Sequence, residues 1–177
     1  KKEVGQSEFM EARDRIIGGM ERKSKIISPK EKEIVAHHEA GHAVVSWYLT
    51  NVDALVKVSI IPRGKSLGAA WYLPEERQIV TKSQFMDQIC ASLGGRAAEE
   101  IIFNEISSGA LDDLEKVTKQ AYTMVAFYGL DKEIGPISYY DSTGRNEQIF
   151  GKPYSEKMAE LIDREVQQLV IAAYERT

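Results

Sequence analysis

The sequence predicts a mainly α domain that carries one small β-hairpin. Apolar residues recur at helical spacing along several long segments. Strict alternation, the mark of a half-buried strand, is confined to one short run, and a second strand-like run follows it across a turn. The chain has 177 residues, 43% hydrophobic and 28% charged, ordinary proportions for a globular domain able to bury a sizeable core.

Residues 1–24 read as a short helical segment in which Phe9, Ile16, Ile17 and Met20 are apolar and Gly18-Gly19 weaken the middle. Residues 21–25 (ERKSK) form a charged connector. Ser28, Pro29 and Glu31 then mark a helix start, with a capping box and proline at the first helical position. The helical pattern runs from about Lys30 to Leu49. Val56, Val58 and Ile60 alternate with Lys57 and Ser59, predicting a strand that ends at Pro62 and turns inward its valines. Residues 63–66 are turn-like. A second strand spans residues 67–73, closed by Pro74. A helix over residues 83–103 carries Phe85, Ile89, Leu93, Ala97 and Ile101. Another, over residues 111–128, places Leu114, Val117, Ala121, Met124, Val125 and Tyr128 on one face, with Gly129 at its C-terminal cap. Residues 135–152 read as an irregular polar loop. The last amphipathic helix begins near Tyr154 and is still helical in pattern at Thr177.

Charge and composition narrow the function. The net charge of −4 gives no electrostatic footprint for nucleic acid. No apolar run approaches the ~18 residues of a membrane span. Cys90 is the only cysteine, which excludes a disulfide framework; its apolar helical surroundings point to core packing.

The most informative residues are His38, Glu39 and His42, an H-E-x-x-H motif inside the second helix. Residues i and i+4 stand one above the other on a helix, so both imidazoles point the same way and can ligate one zinc ion. Glu39 sits one position round, placed to act as general base on an attacking water. At about 100° per residue, His38 and His42 fall among Ile34, Val35, Val45 and Leu49, in an apolar stripe. Ala36, Ala40, Ala43, Val44, Trp47 and Tyr48 extend apolar surface round most of the helix, which predicts a central position in the fold. Two buried histidines and a glutamate need partners, and a divalent cation satisfies all three. The chemistry this implies is zinc-assisted peptide hydrolysis.

A catalytic zinc site usually takes three protein ligands. His37 lies about 100° round the helix from His38 and points elsewhere, as a packing or supporting residue. The remaining candidates are carboxylates. In the helix from Leu111, Asp113 borders the apolar face while Asp112 faces solvent at the helix N-terminus. In the preceding helix, Glu100 borders the apolar side and Glu99 points away. Asp113 and Glu100 are therefore the two acids expected to reach the metal, one as ligand and the other orienting an imidazole through its second nitrogen. Wheel geometry favours Asp113 as the ligand. Small Gly68, Ala69 and Ala70 on the second strand are candidates for pairing with an extended peptide along an open edge, or else for close packing on the zinc helix.

Residues 16–24 (IIGGMERKS), 38–43 (HEAGHA), 58–64 (VSIIPRG), 94–100 (GGRAAEE) and 108–114 (SGALDDL) together resemble the peptidase domain of the FtsH family, membrane-anchored ATP-dependent zinc proteases. The resemblance covers most of the chain in family order. It implies that His38, His42 and Asp113 bind one zinc ion and that Glu39 is the catalytic base. It also implies a helical peptidase fold whose hairpin carries the substrate-side edge strand, a homo-hexamer, and unfolded or damaged proteins as substrates. Residues 1–27 then read as the tail of an ATPase module with its linker, and 28–177 as a peptidase domain continuing past Thr177. No phosphate-binding G-x-x-x-x-G-K-[ST] loop occurs, so ATP use is expected of a module outside this fragment. The fragment is expected to be soluble and its parent anchored in a bacterial or mitochondrial inner membrane through upstream helices. His37 stands where the family usually has tyrosine. A catalytically silent, zinc-stabilised assembly module is the alternative reading.

Overall fold

A computed structural model describes residues 3–22, 26–64, 66–140 and 153–177. The described residues form five helices and one two-stranded antiparallel sheet, in the order α1 (Gln6–Gly18), α2 (Pro29–Tyr48), β1 (Ala54–Ser59), β2 (Ala69–Leu73), α3 (Lys82–Phe103), α4 (Leu111–Tyr122) and α5 (Glu156–Arg176). This is the mainly helical architecture with a hairpin that the sequence predicts. Lys65 of the expected turn, residues 23–25 of the connector and 141–152 of the expected loop lie outside the described residues.

Local signals set the helix starts. Ser28 accepts a hydrogen bond from the Glu31 amide at 3.2 Å while Glu31 Oε2 reaches back to the Ser28 amide at 3.0 Å, the reciprocal cap that opens α2. Thr81 and Gln84 do the same for α3, and Ser155 caps α5. Helix α4 does not run on to Tyr128 as one α-helix. It passes into a π-helical turn over Thr123–Phe127, and Gly129 takes a left-handed φ of 58° just beyond.

Helix α3 is the centre of the molecule and is buried on two sides. One face, with Phe85, Ile89, Cys90 and Leu93, packs with Val117, Met124 and Ala173. A second cluster joins Ala121, Val125, Ala126 and Ile134 to Ile162 and Val166 of α5. The other face of α3 is made of Ala91, Gly94, Gly95 and Ala98, and it receives α2. There the backbones nearly touch: a Cβ on Gly94 would lie 2.7 Å from the Gly41 carbonyl oxygen, and one on Gly41 would lie 2.6 Å from Ala98 Cβ.

Three expectations from periodicity need correction. Val44, Trp47 and Tyr48 are exposed, so α2 is buried on its histidine side and open on the opposite one. Ile101 is exposed as well, because steps of four residues advance 40° past a full turn and carry the stripe off the core by the fourth step. In β1, Leu55, Lys57 and Ser59 are the more buried set and Val56 and Val58 the more exposed. The reason lies in α1, which supplies a buried acid for Lys57.

Candidate metal centre

Helix α2 delivers the two histidines and the glutamate, all buried. The Ser108–Ala110 3₁₀ turn leads into α4 and places Asp113 in its first turn, opposite α2. His38 Nε2 and His42 Nε2 stand 3.1 Å apart, and Asp113 Oδ2 lies 3.2 Å from the first and 3.3 Å from the second.

The protons show what this triangle is for. His42 Nδ1 lies 2.8 Å from the Ala91 carbonyl oxygen, which can only accept, so the ring hydrogen is on Nδ1 and Nε2 presents a lone pair. His38 Nδ1–H donates to Glu99 Oε1 at 2.6 Å, leaving its own Nε2 as a lone pair too. With both rings neutral, two lone pairs and a carboxylate oxygen converge with no hydrogen between them. A cation fits that donor set. Ligand atoms ~2.0–2.1 Å from a tetrahedral zinc stand ~3.3–3.4 Å from one another, close to the observed edges. Among the described residues, His38, His42 and Asp113 are the group with metal-binding geometry.

Charge around the centre is consistent with this. Burial pulls the His38 pKa down, but the Asp113 and Glu99 carboxylates against its two ring nitrogens outweigh it and the net shift is upward. Burial pushes the Asp113 carboxyl up, yet the two imidazoles hold it well below the usual range. Glu39 is raised, chiefly by burial, against the pull of His42 and His38. A carboxylate raised in this way is a better proton acceptor near neutral pH.

Glu99 and Glu100 exchange the places that wheel geometry predicts for them. Glu99 is 1% exposed and accepts from both His38 Nδ1 and the Ser107 amide, the latter at 2.8 Å. Glu100 is exposed and accepts a hydrogen bond from the Tyr174 hydroxyl, away from the metal centre. The error has a physical cause. The α2-facing side of α3 is lined by glycine and alanine, so it carries no hydrophobic signal although it is buried. The small-residue series Ala91, Gly95, Ala98 was the available clue, since Glu99 follows Gly95 by one turn. A Cβ on Gly95 would run into the His38 ring. His37 makes no contact with the centre: its Nδ1 lies 2.9 Å from the Glu33 carbonyl oxygen and its ring meets Phe103 edge-on at 5.2 Å.

A cleft of about 780 Å³ opens over the centre, lined by His38, Glu39, His42 and Asp113 on one side and by Gly68, Ala69, Ala70 and Tyr72 on the other. Tyr72 is tied to α2 through Ser46 Oγ at 2.9 Å. Gly68 lies against Glu39: a Cβ there would sit 2.6 Å from Glu39 Oε1. Its small size is thus required by packing on α2. Ala69 and Ala70 border the cleft, and the sheet has only β1 and β2, so the outer edge of β2 is unpaired among the described residues.

Residues 25–177 match the family model of Peptidase family M41. The chain is 56% identical over 176 residues to the ATP-dependent zinc metalloprotease FtsH of Parabacteroides distasonis, a match covering 99% of this chain and 26% of that protein. It is 49% identical over 174 residues to the mitochondrial inner membrane m-AAA protease component AFG3L2 of Mus musculus, covering 98% and 22% respectively. Similarity to the mitochondrial FTSH 3 metalloprotease of Arabidopsis thaliana is 47% over 175 residues, covering 98% and 21%. The chain therefore spans about a quarter of the length of these relatives. With an H-E-x-x-H helix, a converging aspartate and a match over nearly its whole length, this chain belongs to peptidase family M41.

Proposed function

We propose that this chain is the zinc-dependent endopeptidase part of a larger ATP-dependent protease. The observation that carries the reading is the convergence of His38 Nε2, His42 Nε2 and Asp113 Oδ2, with buried Glu39 beside them at the floor of an open cleft. These three side chains would hold zinc, and Glu99 and the Ala91 carbonyl would fix the imidazoles that bind it. When bound, zinc supplies a Lewis acid that makes water nucleophilic near neutral pH and stabilises negative charge on the attacked carbonyl. Glu39 takes the proton from the attacking water and returns it to the leaving amine. The unpaired edge of β2 receives an extended polypeptide by backbone pairing at Ala69 and Ala70, which accepts many sequences with little side-chain selection.

The names of the relatives support ATP-dependent proteolysis and a membrane location for the parent protein. Unfolded or damaged proteins are the substrates, ATP is used by a module outside these residues, and the parent protein is a membrane-anchored homo-hexamer. No helix among the described residues is long and apolar enough to cross a membrane, which suits anchoring from elsewhere in the parent. The family match begins at residue 25, in keeping with residues 1–27 as the tail of a preceding module and 28–177 as peptidase. A silent assembly module has no use for a buried acid in the position of Glu39.

The test is Glu39→Gln in the full-length protein. It should retain one zinc per chain and lose about 10²- to 10⁴-fold in hydrolysis of an unfolded protein. Loss of zinc in that variant, or undiminished hydrolysis, would overturn the assignment of Glu39.

A further inference from the structure

Strand β2 is gripped from behind as well as from the cleft. Ala70 and Tyr72 turn toward the cleft, and Trp71 turns the other way, under α1. A bulge between Leu55 and Lys57 brings Lys57 directly opposite Trp71 in the ladder. Lys57 Nζ lies 5.1 Å from the Trp71 ring centre, and the Arg13 guanidinium lies over the same ring at 5.7 Å. Asp14, 6% exposed, is the buried residue of α1 and pairs with both cations, with Arg13 at 3.2 Å and more tightly with Lys57. Gly18 lets the helix approach: a Cβ there would be 3.0 Å from the indole. Two backbone bonds, from the Arg22 amide to Pro62 and from the Gly64 amide to Met20, continue the seam at 2.9 and 3.2 Å.

The chemistry of this seam is unusual for simple docking. Phe9, Ile16 and Ile17 of α1 are exposed, Met10 is half-buried, and the side chain that the helix buries most fully is an acid. A buried acid is costly to leave without its cation, so the half-buried Lys57 and Arg13 fix the register of α1 against the hairpin. Trp71 Nε1 and Arg13 Nε are buried and have no acceptor among the described residues. Beside them is a cavity of about 90 Å³.

We propose that Asp14, Lys57 and Trp71 form a clamp through which α1 sets the position of β2 at the cleft, and that they are positioning residues for polypeptide binding. Displacement of α1 moves the strand from behind, and the peptide-pairing edge moves with it. The inference rests on the reading of β2 as the strand that pairs with substrate.

The test uses the full-length zinc-loaded protein and fluorescein-labelled casein. Asp14→Ala should raise KM about 5- to 10-fold, leave kcat within about two-fold, and retain one zinc per chain. Asp14→Glu, which keeps the carboxylate, should restore KM to within about two-fold of the parent. In a Glu39→Gln background, fluorescence anisotropy should show the same loss of casein affinity on adding Asp14→Ala. Unchanged affinity there, or a fall in kcat and zinc content with KM unchanged, would overturn the clamp. Failure of the parent protein to hydrolyse casein would instead sink the peptidase reading, and the anisotropy comparison would still decide the clamp.

Discussion

Glu99→Gln isolates the support beneath the metal centre. Each Glu99 oxygen accepts one hydrogen bond, Oε1 from His38 Nδ1–H at 2.6 Å and Oε2 from the Ser107 amide at 2.8 Å. Glutamine has the same shape but only one acceptor; its other terminal atom is a donor. Whichever way the amide turns, one of the two N–H groups then faces another donor in a buried site. Either His38 loses the bond that fixes its tautomer, or the 3₁₀ turn that leads to Asp113 loses its anchor. Loss of such a supporting bond costs about 10- to 100-fold in metal affinity, equivalent to about 1.4–2.7 kcal/mol. Zinc competition against a chromogenic chelator measures this directly, with Glu100→Gln as the control expected to stay within about two-fold. Equal affinity in Glu99→Gln and the parent, or a loss confined to Glu100→Gln, would refute the assignment of Glu99 as the acid behind His38.

Other outcomes follow from the same geometry. Gly41→Ala places a methyl against the Gly94 backbone and Ala98, so it should destabilise the fold by about 1–3 kcal/mol or more in thermal or urea unfolding. Ile89→Ala, in the fully buried α3 face, should cost about 2–5 kcal/mol by the same measurement. Stability of the metal-free protein should depend on pH from two sides. Asp113 and Glu99 have lowered folded pKa values, so their contribution is present above the ordinary values of 3.8 and 4.5 and is lost as pH falls through the folded ones. His38 has a raised folded pKa, so its contribution is complete below 6.5 and is lost as pH rises through the folded value. Zinc competes with that proton on His38, so zinc affinity should decline as pH is lowered through the neutral range, measured by titration at fixed ionic strength.

Helix α2 announces itself by the Ser28 cap, and α3 and α5 by apolar residues at helical spacing, because caps and amphipathic faces are local properties of the chain. The pairing of His38 with His42 is likewise local, since four residues on one helix bring two rings together whatever surrounds them. Asp113, 71 residues after His42 in the chain, is readable from the sequence as a border position on α4 and as part of the matching SGALDDL segment. What the sequence does not display is any contact between elements made by residues without a hydrophobic signature. Glycines 41, 94 and 95 let α2 and α3 touch, and that close approach, more than periodicity, selects Glu99 over Glu100. In the same way half-buried Lys57 is more covered than its valine neighbours, because buried Asp14, 43 residues earlier in the chain, pairs with it from α1. The sequence by itself therefore determined the metal-binding chemistry and the helices that carry it. Only the tertiary structure decided which acid steadies the histidine and which face of the strand lies under α1, for these depend on long-range packing through small or charged residues.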